Sequence, residues 1–262
     1  MDIIVCIKRV PDTAEIPITI NETGKNINEE QLTFDINEAD TYALEEALLI
    51  KEKSGGSVSV ISIGNEETES ILRMGLAKGA DNAHRFWDEA FAYSDGYTIA
   101  YILSQELRKR QFDLILTGCM ASDDGLCQVG PTLAELLGVP HATLVTHVMV
   151  KENMLEVQRE LEGGLFEVLD IKLPALLTIQ TGINKPRYAS MLGIRKAAKK
   201  GIELLGLREI GLQEADVGES GSKVKIEKIY IPPILKRAEM LEGTSDEVST
   251  KVAEILKGKG IM

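Results

Sequence analysis

Three cysteines, three histidines and one pair of adjacent aspartates are the first places to look for chemistry in this chain. Cys6, Cys119 and Cys127 form no C-x-x-C pair, a spacing that argues against a zinc ribbon, an iron–sulfur centre or a disulfide framework. Cys6 lies within an apolar run and reads as a small core residue. His84, His141 and His147 are scattered, with no H-E-x-x-H, so neither a metal nor a catalytic role is expected of them. Asp123 and Asp124 are neighbours in a loop, where carboxylates are ordinarily solvated. The chain has no G-x-G-x-x-G, no G-x-x-x-x-G-K-[ST] and no G-x-S-x-G. No nucleophile with its base is suggested by spacing.

One stretch remains. Residues 118–131, GCMASDDGLCQVGP, bring glycine and small residues to the start of a helix. Small residues let a backbone approach a phosphate, and the free N–H groups of a helix start stabilise its charge. The alternative reading is a plain turn with acidic residues facing water. With both readings open, these residues alone lead no further than a nucleotide-binding α/β protein without its own evident nucleophile.

The surrounding pattern says what must position that loop. Ile3–Ile7 is an apolar strand closed by Lys8, Arg9 and Pro11; residues 12–36 are polar, an excursion with one small hairpin. Asn37 is placed to cap a helix whose apolar stripe is Ala39, Tyr42, Ala43, Ala47 and Leu48, stopped by Gly55-Gly56. Val58–Ile63 is a strand, 67–77 a helix ended by Gly79, 83–86 a weak strand, and Ser94 or Asp95 to Arg110 a helix. Leu114–Thr117 and a helix over 129–137, closed by Gly138, follow. This alternation predicts a doubly wound, mostly parallel sheet. Ligands of such sheets sit outside the carboxyl ends of the strands where strand order reverses, here the loops Lys8–Asp12 and Gly118–Pro131. Thr143–Val150, Leu155–Glu160 and Leu165–Ile171 read as further strands, with a hairpin turn at Gly163-Gly164, and Leu173–Thr178 returns to the sheet. A domain over 1–205 is expected, then a charged, glycine-bearing tail from Gly206 ending in a helix over Ser245–Lys257.

The formal charge of −12 argues against nucleic acid or an anionic membrane as the main partner. No apolar run approaches the ~20 residues of a membrane span, and MDIIVCIK lacks the features of a signal peptide, so a cytoplasmic location is expected.

Five stretches in order, VCIKRVPDTAE (5–15), INEADTYALEEALLIKEK (36–53), ISIGNEETESILRMGLAKGAD (61–81), CQVGPTLAELLGVP (127–140) and LPALLTIQTGINKPRYASMLGIRKAAKK (173–200), resemble the beta subunit of electron-transfer flavoproteins. The resemblance implies an adenine-nucleotide-binding, Rossmann-like fold paired with a flavin-carrying alpha subunit. By position it implies nucleotide contacts from Cys6, Lys8, Asn37, Gly64, Asp123, Gln128, Val129, Gly130 and Pro131. Lys8 and the helix-start amides suit phosphates, and Asn37 and Gln128 offer amide hydrogen bonds. Where the family reads G-R-Q-A-I-D-G-D this chain has Gly118-Cys119-Met120-Ala121-Ser122-Asp123-Asp124-Gly125, so what carries over there is the backbone cradle. Asn184–Lys200 resembles the family's recognition loop, with Met191 at the anchor position and Leu192 after it; a core methionine is the alternative.

The expected function is a subunit that binds FAD and takes part in electron bifurcation. NADH delivers two electrons, which go separately to ferredoxin and, through the alpha flavin, to a flavin-dependent dehydrogenase of acyl-CoA or hydroxy-acid type. Val10–Glu15 and Gln128–Pro131 resemble the FAD-carrying branch. An AMP-carrying, non-bifurcating carrier is the second reading, and a stand-alone ATP-binding or nucleotide-hydrolysing protein the third. No independent catalysis is expected of this chain.

Overall fold

The computed structural model describes residues 1–13, 16–233 and 238–261. Nine strands form one sheet: β1 (Asp2–Cys6), β4 (Ser57–Ile63), β5 (Asn82–Phe86), β6 (Leu114–Gly118), β7 (His141–Val150), β8 (Met154–Glu160), β9 (Phe166–Lys172), β10 (Ala175–Ile179) and β11 (Glu203–Leu205). The remaining pair, β2 (Arg9–Asp12) and β3 (Thr33–Ile36), makes a separate antiparallel ribbon at the base of the excursion, so most of the expected Lys8–Asp12 loop is strand; the small hairpin within the excursion is the antiparallel bridge between Ile20 and Ile27. Among the described residues eight helices accompany the sheet: α1 (Glu38–Ser54), α2 (Glu69–Lys78), α3 (Gly96–Leu107), α4 (Val129–Leu137), α5 (Met191–Ala197), α6 (Leu207–Ile210), α7 (Gly218–Gly221) and α8 (Ser245–Gly258).

The order across the sheet is β11-β5-β4-β1-β6-β10-β7-β8-β9, parallel from β11 to β7 and antiparallel over β7, β8 and β9. From β1 the chain passes to β4 and β5 on one side, then returns through α3 to β6 on the other. The order therefore reverses beside β1, and the carboxyl ends of β1 and β6 lie next to each other there.

Side chains alternate between the faces with the two-residue period of a strand. Ile3, Val5, Val58, Val60, Leu114 and Leu116 join α1 and α2 in one core; Ile4, Cys6, Ile61, Ile115 and Leu176 join α3 and α4 in the other. Because both faces are covered, the central strands read as continuous apolar runs.

Most boundaries fall within two residues of the sequence reading. The third helix ends at Leu107, not Arg110; residues 108–110 close it with turn-like N–H bonds to Ser104, Glu106 and Leu107. Gly163 and Gly164 both take positive φ within a five-residue connection between β8 and β9. The tail has two parts. Residues 207–222 pack down, with Ile210, Leu212 and Val217 buried in the second core. Residues 223–233 and 238–244 have no helix or strand, and α8 buries none of its side chains.

Candidate functional site

A cleft of about 250 Å³ opens where the strand order reverses. Its walls are the ends of β1, β4 and β6, the start of α3, and the loop from Cys119 to Gln128 that leads into α4. Of the residues singled out from sequence, Cys6, Lys8, Asn37, Gln128, Val129 and Gly130 line it. Gly64, Asp123 and Pro131 do not line it, though each adjoins a lining residue in sequence: Gly64 follows Ile63, Asp123 precedes Asp124, and Pro131 follows Gly130. Val10–Thr13 lead into the excursion, while Ala14 and Glu15 of the same motif lie outside the described residues.

The start of α4 is built to approach a ligand. Gly130 touches the sheet so closely that a Cβ would meet Thr178 Cγ2 at 2.5 Å and Thr117 Oγ1 at 2.8 Å. Gln128, at the cap position, makes no side-chain cap bond, and Pro131 has no N–H to satisfy. The N–H groups of Val129 and Gly130 therefore carry the positive end of the helix dipole into the cleft without a capping oxygen.

Lys8 reaches the same loop. Its Nζ lies 2.7 Å from Asp123 Oδ1 and 2.8 Å from Asp124 Oδ2. Burial works to lower its pKa, but the two carboxylates outweigh burial and leave it raised. Lys8 is therefore charged, and it spans the cleft mouth between β1 and the loop.

Asn37 does not cap α1 with its side chain. Its Nδ2 donates to Met120 O at 2.9 Å and its Oδ1 accepts from Ser122 N–H at 3.1 Å. The carboxamide is committed to the loop, so the expected capping role gives way to a loop-holding one. Three residues on, Asp40 accepts the N–H of Lys8 and of Gly118. In the sequence Asp40 presents itself as an ordinary first-turn acid and was not singled out. The signal was its place in the stripe shared with Ala43 and Ala47, where a carboxylate requires buried partners. The α3 wall (Ser94, Gly96, Ile99) was also missed, because only the strand crossing brings it to the site.

The two thiols nearest the strand ends are not activated. Burial, with Asp40 adding to it, pushes Cys6 up to about 12; burial and then Cys127 raise Cys119. Raised thiols are poor nucleophiles at neutral pH. Among the described residues there is also no cluster of His, Cys, Asp and Glu able to hold a metal ion. The arrangement can hold an anionic, phosphate-bearing ligand, and among the described residues it contains no group set for covalent catalysis.

A second candidate region lies on the other side of α1. Tyr188, Met191 and Leu192 are 95%, 73% and 62% exposed, so Met191 is not a core residue. The backbone beneath them is tightly held. Arg187 places Nε 2.9 Å from Glu45 Oε2 and Nη2 3.0 Å from Glu45 Oε1, and its N–H also bonds Glu45. Asn184 Nδ2 donates to Tyr42 O and to Glu46. Gly193 packs against α2, where a Cβ would lie 2.2 Å from Ala77 O.

Residues 25–209 match the electron transfer flavoprotein domain. The chain is 40% identical over 260 residues to the electron transfer flavoprotein subunit beta of Methylophilus methylotrophus, covering 98% of both chains. It is 35% identical to the caffeyl-CoA reductase-Etf complex subunit CarD of Acetobacterium woodii, over the full length of both. It is 34% identical to protein FixA of Azotobacter vinelandii, over 92% of this chain and 88% of that one. With a domain match over most of its length and full-length likeness to such subunits, the chain belongs to the electron transfer flavoprotein family as a beta subunit.

Proposed function

We propose that this beta subunit binds FAD in the switch-point cleft and works, beside an alpha subunit, in NADH-dependent electron bifurcation to ferredoxin and a flavin-dependent dehydrogenase. The observation that carries the reading is the uncapped start of α4, whose Val129 and Gly130 N–H groups face a cleft containing Lys8 and no activated nucleophile among the described residues. At about 250 Å³ the cleft suits the adenosine-phosphate end of a dinucleotide, with phosphates at the α4 start and Ile99 and Leu103 of α3 as a wall, and the rest of the ligand extending out of its mouth. When bound, the flavin supplies the redox chemistry, exchanging electrons in pairs with NADH and singly with its acceptors. The chain's own residues bind and orient it: α4 stabilises the phosphates, Lys8 ties the end of β1 to the loop through Asp123 and Asp124, and Asn37 keeps the 119–128 loop in place. The full-length likeness to a subunit of a caffeyl-CoA reductase-Etf complex supports a dehydrogenase-type partner.

The surfaces available for partners are separate. The alpha subunit is assigned to the apolar outer row of β9 (Phe166 and Val168) and to the segment after residue 222, where Val224, Ile226, Tyr230 and Ile231 are exposed. The dehydrogenase is assigned to Met191 and Leu192. Residues 184–200 hold six basic and no acidic residues in a chain of net charge −12, which favours an acidic partner surface. Among the described residues no helix is long and apolar enough to cross a membrane.

The second reading, AMP in the same cleft, rests on the same α4 amides, since one phosphate also satisfies them. The test is to release the nucleotide from the purified αβ complex and identify it by absorbance and mass. FAD from the beta site, with bleaching of the complex by NADH, supports the proposal. AMP with a single flavin overturns it in favour of the simple carrier.

A further inference from the structure

The first turn of α1 touches both loops that make the cleft. Asp40 is 6% exposed, and its two oxygens accept from different strand ends. Oδ2 takes the Lys8 N–H at 2.7 Å, just past β1, and Oδ1 takes the Gly118 N–H at 2.8 Å, at the end of β6. Asn37, one turn earlier, donates its own N–H to Lys8 O at 2.9 Å and holds Met120 and Ser122 through its carboxamide. The fit is close: a Cβ on Gly118 would stand 2.3 Å from Asp40 Oδ1 and 2.8 Å from Ala39 Cβ.

We propose that Asp40 is a positioning residue for the bound nucleotide: its carboxylate, backed by Asn37, ties the β1 loop to the β6 loop and sets the gap the nucleotide enters. A carboxylate is required because both oxygens must accept. An amide in the same place offers one acceptor and one NH2, and the NH2 would face a backbone N–H. The clamp is read from the geometry alone; that its purpose is to hold a nucleotide rests on the function proposed above.

The groups facing Asp40 decide what titrates. Cys6 faces it from β1, Cys119 from the β6 loop and Lys8 from the β1 loop, with Asp123 and Asp124 beyond Lys8. Burial keeps both thiols protonated, and the raised Lys8 keeps its charge. Asp40 itself is pushed by burial up to about 6, so it changes state between pH 5 and 7. Protonation turns two charge-assisted bonds into weaker neutral ones.

The test uses the αβ complex with Asp40→Asn and, separately, Asn37→Ala. Nucleotide retained after gel filtration is measured by absorbance and mass, binding is followed from pH 5 to 8, and amide exchange is mapped over 8–12 and 118–128. Asp40→Asn is expected to weaken nucleotide binding at least about tenfold at pH 7.5 and to speed exchange in those two loops only. The wild-type complex is expected to bind less tightly as pH falls through about 6, with that step absent from the variant. The alpha flavin should stay. Wild-type binding with an unchanged pH profile in Asp40→Asn overturns the inference. If Asp40→Asn does not assemble, Asn37→Ala decides: weaker binding with faster loop exchange supports the clamp, and wild-type values overturn it. A wild-type complex that carries nothing in the beta cleft overturns the proposed function instead, and the exchange map then judges the clamp alone.

Discussion

Replacing Arg187 by methionine should loosen the docking loop and leave the cofactor cleft alone. In the folded chain the guanidinium and the N–H of Arg187 together saturate Glu45, whose side chain is only 6% exposed; Arg187's own is 31% exposed. The Nη1 arm reaches Glu52 at the surface, 2.6 Å away, and contributes about 0–1 kcal/mol at most. Removing one member of a buried pair leaves a charge without its partner, a loss of about 3–5 kcal/mol when both are enclosed. Water can reach Glu45 once the half-open guanidinium has gone, so about 2–3 kcal/mol is expected here. At a urea slope of about 2–3 kcal/mol per molar, the unfolding midpoint should fall by about 1 M with the slope unchanged. Adding Glu45→Leu should recover most of that loss, since a well-packed apolar pair replaces a buried ion pair with little penalty. Electron delivery to the dehydrogenase should not recover, because the loop has lost its anchor. A midpoint within about 0.2 M of wild type for Arg187→Met would make Glu45 an ordinary solvated carboxylate and the ion pair dispensable.

Asp40 should leave a signature in stability as well as in binding. Its folded pKa of about 6 exceeds the ordinary value of 3.8, a gap equivalent to about 3 kcal/mol, so the fold favours the protonated form. Its contribution to stability is greatest below about pH 4 and declines as pH rises to about 6, and the difference between wild type and Asp40→Asn in denaturant midpoints across pH 4–7 should show that slope. Met191→Ala should cost about 1–3 kcal/mol of docking while subunit pairing and nucleotide content hold; a general loss of stability would contradict its exposed position. Truncation after Val224 keeps the Asp95 bonds to the N–H groups of Lys223 and Val224 but removes the exposed apolar tail, and should weaken alpha-subunit association in analytical ultracentrifugation.

Much of this architecture is legible in the sequence because its signals are local. Val58–Ile63 announces itself as a buried strand, and Gly79 and Gly138 end their helices with the positive φ they were expected to supply. The cleft follows from the same pattern, since the reversal of strand order depends on connections and not on distant contacts. The rest is tertiary. β11 is three residues long and exists because Glu203–Leu205 pair with His84–Phe86 of β5. The folding-down of 207–222 depends on Ile210, Leu212 and Val217 finding the α3 side of the sheet, which no periodicity in a charged stretch displays. Asn37 looked like a cap because an asparagine before a helix usually is one. Its partners, 83 and 85 residues away, are visible only in the fold. The Arg187–Glu45 pair is hidden for the same reason, at a separation of 142 residues.

Gly130→Ala separates a nucleotide held by the α4 start at the switch point from one held elsewhere in the complex. The added Cβ must displace Thr178 Cγ2 or Thr117 Oγ1, so the helix start, with the Val129 and Gly130 N–H groups, is pushed off its seat on the sheet. Flavin per αβ pair, counted by absorbance after gel filtration, should fall from two in the wild type to one in the variant. The remaining flavin would belong to the alpha subunit, and the pair would no longer bleach with NADH. Two flavins in the Gly130→Ala complex, with NADH bleaching intact, would mean that the α4 start does not seat the second flavin.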